Sequence, residues 1–104
     1  MVPAKAGYMY EDGVLWVKGK LDFAEEEGMR QYGQQMIKDS GDKVVLDLSG
    51  VSYISSSCLG EILVLDEEAK KAGKSLVVRV PRVLLYVYDL MGIRSVVNTE
   101  IVEG

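Results

Sequence analysis

Two short, almost continuous apolar runs place the tightest limit on how this chain can fold. Residues 44–48 read VVLDL and residues 76–80 read LVVRV. Such runs are typical of strands that are covered on both faces of a sheet. A segment with the apolar spacing of a helix follows each run. This alternation predicts an α/β fold in which right-handed crossovers join the strands.

A hairpin and a first helix are predicted before these runs. Residues 11–13 read EDG, a turn sequence between YMY at 8–10 and the strand-like VLWVK at 14–18. Asp22 then stands where a side chain can cap the first helix. The predicted order of elements is β-β-α-β-α-β-α-β, which gives a four- to five-stranded mixed sheet with an N-terminal hairpin and three helices.

The third helix and the last strand are predicted from shorter signals. Pro81 is expected to begin the helix, because proline is favoured in a first helical turn. Its apolar stripe is expected to consist of Val83, Val87, Leu90 and Met91. The SVVN sequence at 95–98 is expected to form the last strand.

Histidine is absent from the 104 residues, and cysteine occurs once, as Cys58. The chain therefore lacks the commonest general base near neutral pH and the commonest metal ligand. A serine nucleophile activated by histidine is excluded, a zinc site is disfavoured, and no cofactor or metal is predicted. The single cysteine excludes an intrachain disulfide. Because no signal peptide is recognisable either, a cytoplasmic location is predicted.

Length and charge narrow the function further. A chain of 104 residues fits one domain, predicted here as 1–104. The net charge of −4, with no basic tract, argues against binding to nucleic acid. No apolar run approaches the roughly 20 residues that a membrane span needs, so membrane insertion is not predicted.

Three consecutive serines, 55–57, separate an apolar stretch from the second helix. One of these hydroxyls is expected to cap the helix, which is the simplest interpretation of such a cluster. The run holds more serines than a cap requires. The remaining hydroxyls would lie beyond the carboxyl ends of the strands, where ligands gather in open α/β sheets. A helix N-terminus there can hold or accept a phosphate.

The sequence VVLDLSGVSYISSSCLGEIL, residues 44–63, resembles the signature of the STAS domain in the anti-sigma factor antagonist family of bacteria. VKGKLDFAEEE and LYVYDLMGIRSVV resemble the family's approach to its first helix and its third helix with the following strand. The resemblance implies a STAS-like fold and a non-enzymatic regulator. It implies that Ser57 is phosphorylated by a partner kinase, which is itself the anti-sigma factor. It also implies a partner-binding surface made of Asp22, Ser55, Ser56, Ser57 and Cys58.

Two positions depart from the family pattern. Ser55 stands where the family usually has aspartate, and Cys58 where it usually has glycine. The helix that ends many family members is also not expected in this chain. The bland interpretation of Cys58 is a small buried side chain in the first turn of the helix.

Three functions remain open on the sequence alone. The first is an anti-sigma factor antagonist that binds its kinase when unphosphorylated, releases a sigma factor and is switched off by phosphorylation of Ser57. The second is a STAS module of another assembly, such as a stress-signalling scaffold or the soluble component of a lipid transporter, without phosphorylation. The third is a small phosphate- or nucleotide-binding protein. The sequence identifies neither the kinase nor the oligomeric state.

Overall fold

Five strands and three helices make up the computed structural model, which describes residues 6–103. The predicted domain limits, 1 and 104, lie outside that range. The strands are β1 Ala6–Glu11, β2 Val14–Leu21, β3 Lys43–Ile54, β4 Ser75–Pro81 and β5 Asn98–Val102. The helices are α1 Glu26–Asp39, α2 Ser56–Lys71 and α3 Leu85–Leu90. None of the helices within residues 6–103 is both long and apolar enough to cross a membrane.

The sheet has the strand order β1-β2-β3-β4-β5. β1 is antiparallel to β2, and the other neighbours are parallel, so the predicted mixed α/β sheet is confirmed. Each helix connects two adjacent parallel strands, and right-handed crossovers therefore put all three helices on one face. The burial of β2 agrees, since Leu15 and Val17 are buried whereas Trp16 between them is exposed. The result is one layer of helices on a sheet whose other face is open.

The predicted hairpin turn is confirmed at Asp12 and Gly13. Both residues have positive φ angles, 49° and 80°. A two-residue hairpin with that backbone is favoured because its twist matches the twist of the strands, and Asp-Gly is one of its preferred sequences.

Helices α1 and α2 pack closely because Gly33 has no side chain. A Cβ atom built on Gly33 would lie only 2.5 Å from a methyl carbon of Leu65 on α2. An ion pair reinforces the contact: Arg30 donates to the buried carboxylate of Glu61 from Nε at 3.1 Å and from Nη2 at 2.6 Å. The contact fixes α2, and with it the position of the serine run.

β3 bulges after Asp47. Trp16 of β2 pairs with Asp47, and Lys18 pairs with Gly50, so two residues of β3 lie opposite Val17 alone. The Asp47 carboxylate accepts hydrogen bonds from the Ser49 N–H at 2.8 Å and from the Ser49 hydroxyl at 2.6 Å. Asp47 therefore stabilises the bulge.

The prediction for the third helix was wrong in two respects. Pro81 ends β4, and a 3-10 turn, Arg82–Leu84, precedes α3. The predicted stripe also points outward, since the exposed fractions of Val83 and Leu90 are 71% and 69%. Tyr88 is instead fully buried, and its hydroxyl lies 2.9 Å from the Thr99 hydroxyl.

The predicted last strand was also wrong. Ser95 lies in a 3-10 turn, Ile93–Ser95, and β5 begins only at Asn98. Gly92 precedes this turn with a φ of 68°, which reverses the chain after α3. The apolar residues of this stretch, Val96 and Val97, therefore belong to the connection between the 3-10 turn and β5.

Candidate functional site

The serine run lies where β3 ends and α2 begins, and Ser55 is the cap of that helix. Its backbone is extended, and its Oγ accepts a hydrogen bond from the Cys58 N–H at 3.2 Å. The Ser55 N–H donates to the carbonyl oxygen of Leu21 at 2.8 Å, which ties the start of α2 to the end of β2. The expected capping role thus belongs to Ser55.

Ser56 and Ser57 occupy the first turn of α2 in different environments. Ser56 is exposed, and Ser57 is half-buried. The Oγ of Ser57 lies 3.1 Å from the Oγ of Ser55, a hydrogen bond in which either hydroxyl can donate. No described residue accepts a hydrogen bond from the N–H of Ser56 or Ser57. These are two of the N–H groups that a helix start leaves for water or an anion.

Asp22 is brought to the same place from the end of β2. Its carboxylate accepts a hydrogen bond from the Ala24 N–H at 3.1 Å and caps the 3-10 turn Phe23–Glu25 that precedes α1. Its carbonyl oxygen accepts a hydrogen bond from the Cys58 thiol at 3.3 Å. Asp22 and the serine run, far apart in sequence, therefore form one surface at the carboxyl ends of β2 and β3.

Cys58 contributes to this surface from beneath. Its side chain is fully buried, so the predicted direct contact of Cys58 with a partner needs correction. Burial raises the pKa of the Cys58 thiol, and the nearby Glu26, Asp22 and Glu25 carboxylates raise it further. A thiolate is thereby disfavoured, even at a helix N-terminus. The thiol connects the helix start to the Asp22 turn.

Tyr8 and Glu25 form part of the site that the sequence did not reveal. The Tyr8 hydroxyl donates to Glu25 at 3.0 Å, and its ring stacks on Tyr32 with centroids 4.3 Å apart. Burial, and then the bond to Glu25, raises the pKa of Tyr8. The sequence carries no local signal of this pairing, because Tyr8 and Glu25 lie 17 positions apart.

Two exposed aromatic residues lie on the segments that lead into this surface. Phe23 follows Asp22 and is 77% exposed, and Tyr53 precedes the serines and is 51% exposed. Tyr53 also lines a groove of about 590 Å³ with Lys20, Asp22 and Ser52. In the sequence, the exposure of Phe23 is signalled only by its position directly after the capping Asp22.

A family model described as Mlab, STAS domain, matches residues 9–98 of the chain. The chain belongs to the STAS domain family. The matched segment contains the Asp22 turn, the serine run and all three helices of this STAS domain.

Solved structures similar to this STAS domain include three named as regulators of sigma factors or of cell fate. A putative anti-sigma factor antagonist from Thermotoga maritima is 21% identical, with a TM-score of 0.71, over 89% of this chain and 83% of that one. An anti-sigma factor antagonist from Mycobacterium paratuberculosis is 24% identical, with a TM-score of 0.71, over 90% and 82%. The Bacillus cell fate determinant SpoIIAA, in its phosphorylated form, is 15% identical, with a TM-score of 0.64, over 95% and 90%.

Proposed function

We propose that this STAS domain is a non-enzymatic anti-sigma factor antagonist of the cytoplasm. Its unphosphorylated form binds a cognate anti-sigma factor that is also a serine kinase, and this binding releases a sigma factor. Phosphorylation of Ser57 ends the binding. The partner surface consists of Asp22, Ser55, Ser56 and Ser57, with Cys58 supporting it from inside.

The observation that carries the proposal is the position of Ser57. Its half-buried hydroxyl lies in the first turn of α2, the helix that contacts the 3-10 turn carrying the exposed Phe23. Exposed aromatic side chains are frequent anchors of protein interfaces. A partly accessible hydroxyl at the edge that also carries such an aromatic residue supports a contact that phosphorylation controls.

A phosphate on Ser57 would change this surface in two ways. It would replace the hydrogen bond between Ser57 and Ser55 and add a charge of about −1.5 to −2. Asp22 and Glu25 lie close enough to act on the neighbouring Cys58 thiol, so the new charge would enter an acidic region. The N–H groups at the helix start would hold the phosphate in place. Its bulk and charge would then keep an interface from closing over Phe23.

The similar structures support a switch by phosphorylation, because one of them is of SpoIIAA in its phosphorylated form. The test is phosphopeptide mass spectrometry on the protein isolated from its native cells. We expect one phosphate on Ser57 and none in Ser57→Ala. Ser56→Ala is the matched control, and we expect it to remain phosphorylated.

Binding is tested with the same proteins as bait in a lysate of the native cells. Wild type and Ser57→Ala should retain an anti-sigma factor kinase, and Ser57→Asp should lose it. Phosphate on Ser56 alone, or full retention of the kinase by Ser57→Asp, would refute the proposed switch.

A STAS module of another assembly, without phosphorylation, is the alternative function. Two observations favour it. The description of the matched family model, Mlab, STAS domain, does not mention sigma factors. The Ser57 hydroxyl is also already engaged in a hydrogen bond with Ser55. In that case the serines act only as a cap and contact surface. The native protein would then carry no phosphate at Ser57, and Ser57→Ala and Ser57→Asp would retain the same partners.

A further inference from the structure

The open face of the sheet carries one row of side chains that crosses all five strands. The register aligns Met9, Trp16, Asp47, Arg79 and Glu100 across it. These residues lie on the face opposite the helices. Met9 and Trp16 are 57% and 38% exposed, so the β1 and β2 end of the row presents apolar surface to solvent.

Beside Met9 and Trp16 lies a cavity of about 500 Å³, which is within the range of small-molecule sites. Gly7 and Gly50 line this cavity and flank Lys18 on the neighbouring strands. A Cβ on Gly50 would lie 2.9 Å from the Cβ of Lys18, and one on Gly7 would lie 3.2 Å from its Cε. The two glycines thus let the Lys18 side chain lie against the sheet at the cavity.

The charged side chains around the cavity differ in whether they already have a partner. The Asp47 carboxylate is already bonded to Ser49 and lies 3.4 Å from Nη1 of Arg79. Arg79 also lies 3.4 Å from Glu100, and its Cζ is 6.0 Å from the centre of the Trp16 ring. Within residues 6–103, the Lys18 ammonium forms no ion pair or hydrogen bond. The charge left for a ligand is therefore positive.

We propose that this cavity binds a small planar aromatic anion. The ring of the ligand lies against Trp16 and Met9, and its anionic group lies at the Lys18 ammonium. An indole face and a thioether both favour contact with aromatic rings. The site lies on the opposite face from α2, so this proposal is independent of the role of Ser57.

The test is a titration of the full chain with three probes that share one ring: 2-naphthoate, 2-naphthamide and 2-naphthylmethylammonium. We expect affinity to fall from the anion to the amide to the cation. In amide NMR spectra of the protein, the shifts caused by 2-naphthoate should centre on Gly7, Trp16 and Gly50.

Variants of Lys18 and Trp16 then test the contact with the anionic group and the contact with the ring separately. Lys18→Gln should weaken 2-naphthoate about two- to five-fold and leave 2-naphthamide unchanged, as expected for an exposed ion pair. Lys20→Gln is the matched control, because it removes the same charge from the same strand outside the cavity, and it should change nothing. Trp16→Val should weaken both probes about two- to ten-fold.

Three results would overturn the assignment. One is equal affinity for the three probes, or tightest binding of the cation. Another is the same loss in Lys20→Gln as in Lys18→Gln. The third is a set of NMR shifts confined to the helix face. Both lysine variants alter exposed side chains, so the comparison does not depend on a variant that fails to fold.

Discussion

Gly33 lies in the middle of α1, where this helix packs on Leu65 of α2. In Gly33→Ala, the new Cβ would lie 2.5 Å and 2.6 Å from the two methyl carbons of Leu65 and 3.1 Å from its Cγ. Leu65 is fully buried, so its side chain has little space to move away. Gly60, in α2, is the matched control, because a Cβ there meets no atom within 4 Å.

The two substitutions should change the free energy of unfolding in opposite directions. Overpacking a core contact costs about 1–3 kcal/mol, and two clashing atoms with a third in tight contact favour the upper part of that range at Gly33. Alanine gains about 1 kcal/mol over glycine inside a helix. Gly33→Ala should therefore lose about 1–2 kcal/mol, whereas Gly60→Ala should gain up to about 1 kcal/mol.

The assay is unfolding in urea followed by circular dichroism, with thermal melting as a second measurement. For a domain of this size, 1 kcal/mol corresponds to about 4–8 °C in Tm, so a difference of about 1–3 kcal/mol between the two variants corresponds to about 4–24 °C. Wild-type stability of Gly33→Ala, or shifts of the same sign in both variants, would refute the close-packing argument.

Three further predictions concern the site and its supports. Ser55→Ala should lower the free energy of unfolding by about 1 kcal/mol because the cap of α2 is lost, and Ser55→Asp should restore it; equal urea midpoints would contradict this. Arg30→Met should lower the urea midpoint, because it leaves the buried Glu61 carboxylate without its partner; Arg30→Lys should recover part of that loss in the same assay. Folding raises the pKa values of Cys58 and Tyr8, so the unfolded chain loses these protons at lower pH than the folded protein does. The free energy of unfolding should therefore fall as the pH rises above the ordinary thiol pKa of 9.0. A urea midpoint that stays constant from about pH 8 to 11 would exclude this.

Most of the fold was predictable because its signals are local. The apolar runs at 44–48 and 76–80 lie within β3 and β4, and the EDG turn forms the hairpin. The serine run was placed correctly at a helix start, because capping residues act on neighbouring N–H groups. Ser55 proved to be the cap, a distinction among three adjacent serines that only the backbone angles decide.

The errors arose where a pattern lacks information about its surroundings. Helical spacing predicted an apolar stripe containing Val83 and Leu90, but spacing does not show whether another element covers it. Tyr88 is outside the predicted stripe, yet it is buried in α3 and its hydroxyl forms a hydrogen bond with Thr99 on β5. The burial of Cys58 was anticipated. Its bond to the Asp22 carbonyl was not, because the two residues meet only after β2 and β3 pair.

The single layer of helices has a consequence for how such a small protein can be used. The serine edge and the bare side of the sheet face different directions, so occupation of one leaves the other physically accessible. With both proposed sites occupied, the domain would hold a protein at the serine edge and a small anion on the open face of the sheet at the same time. Its response to two inputs would then require no movement of the backbone.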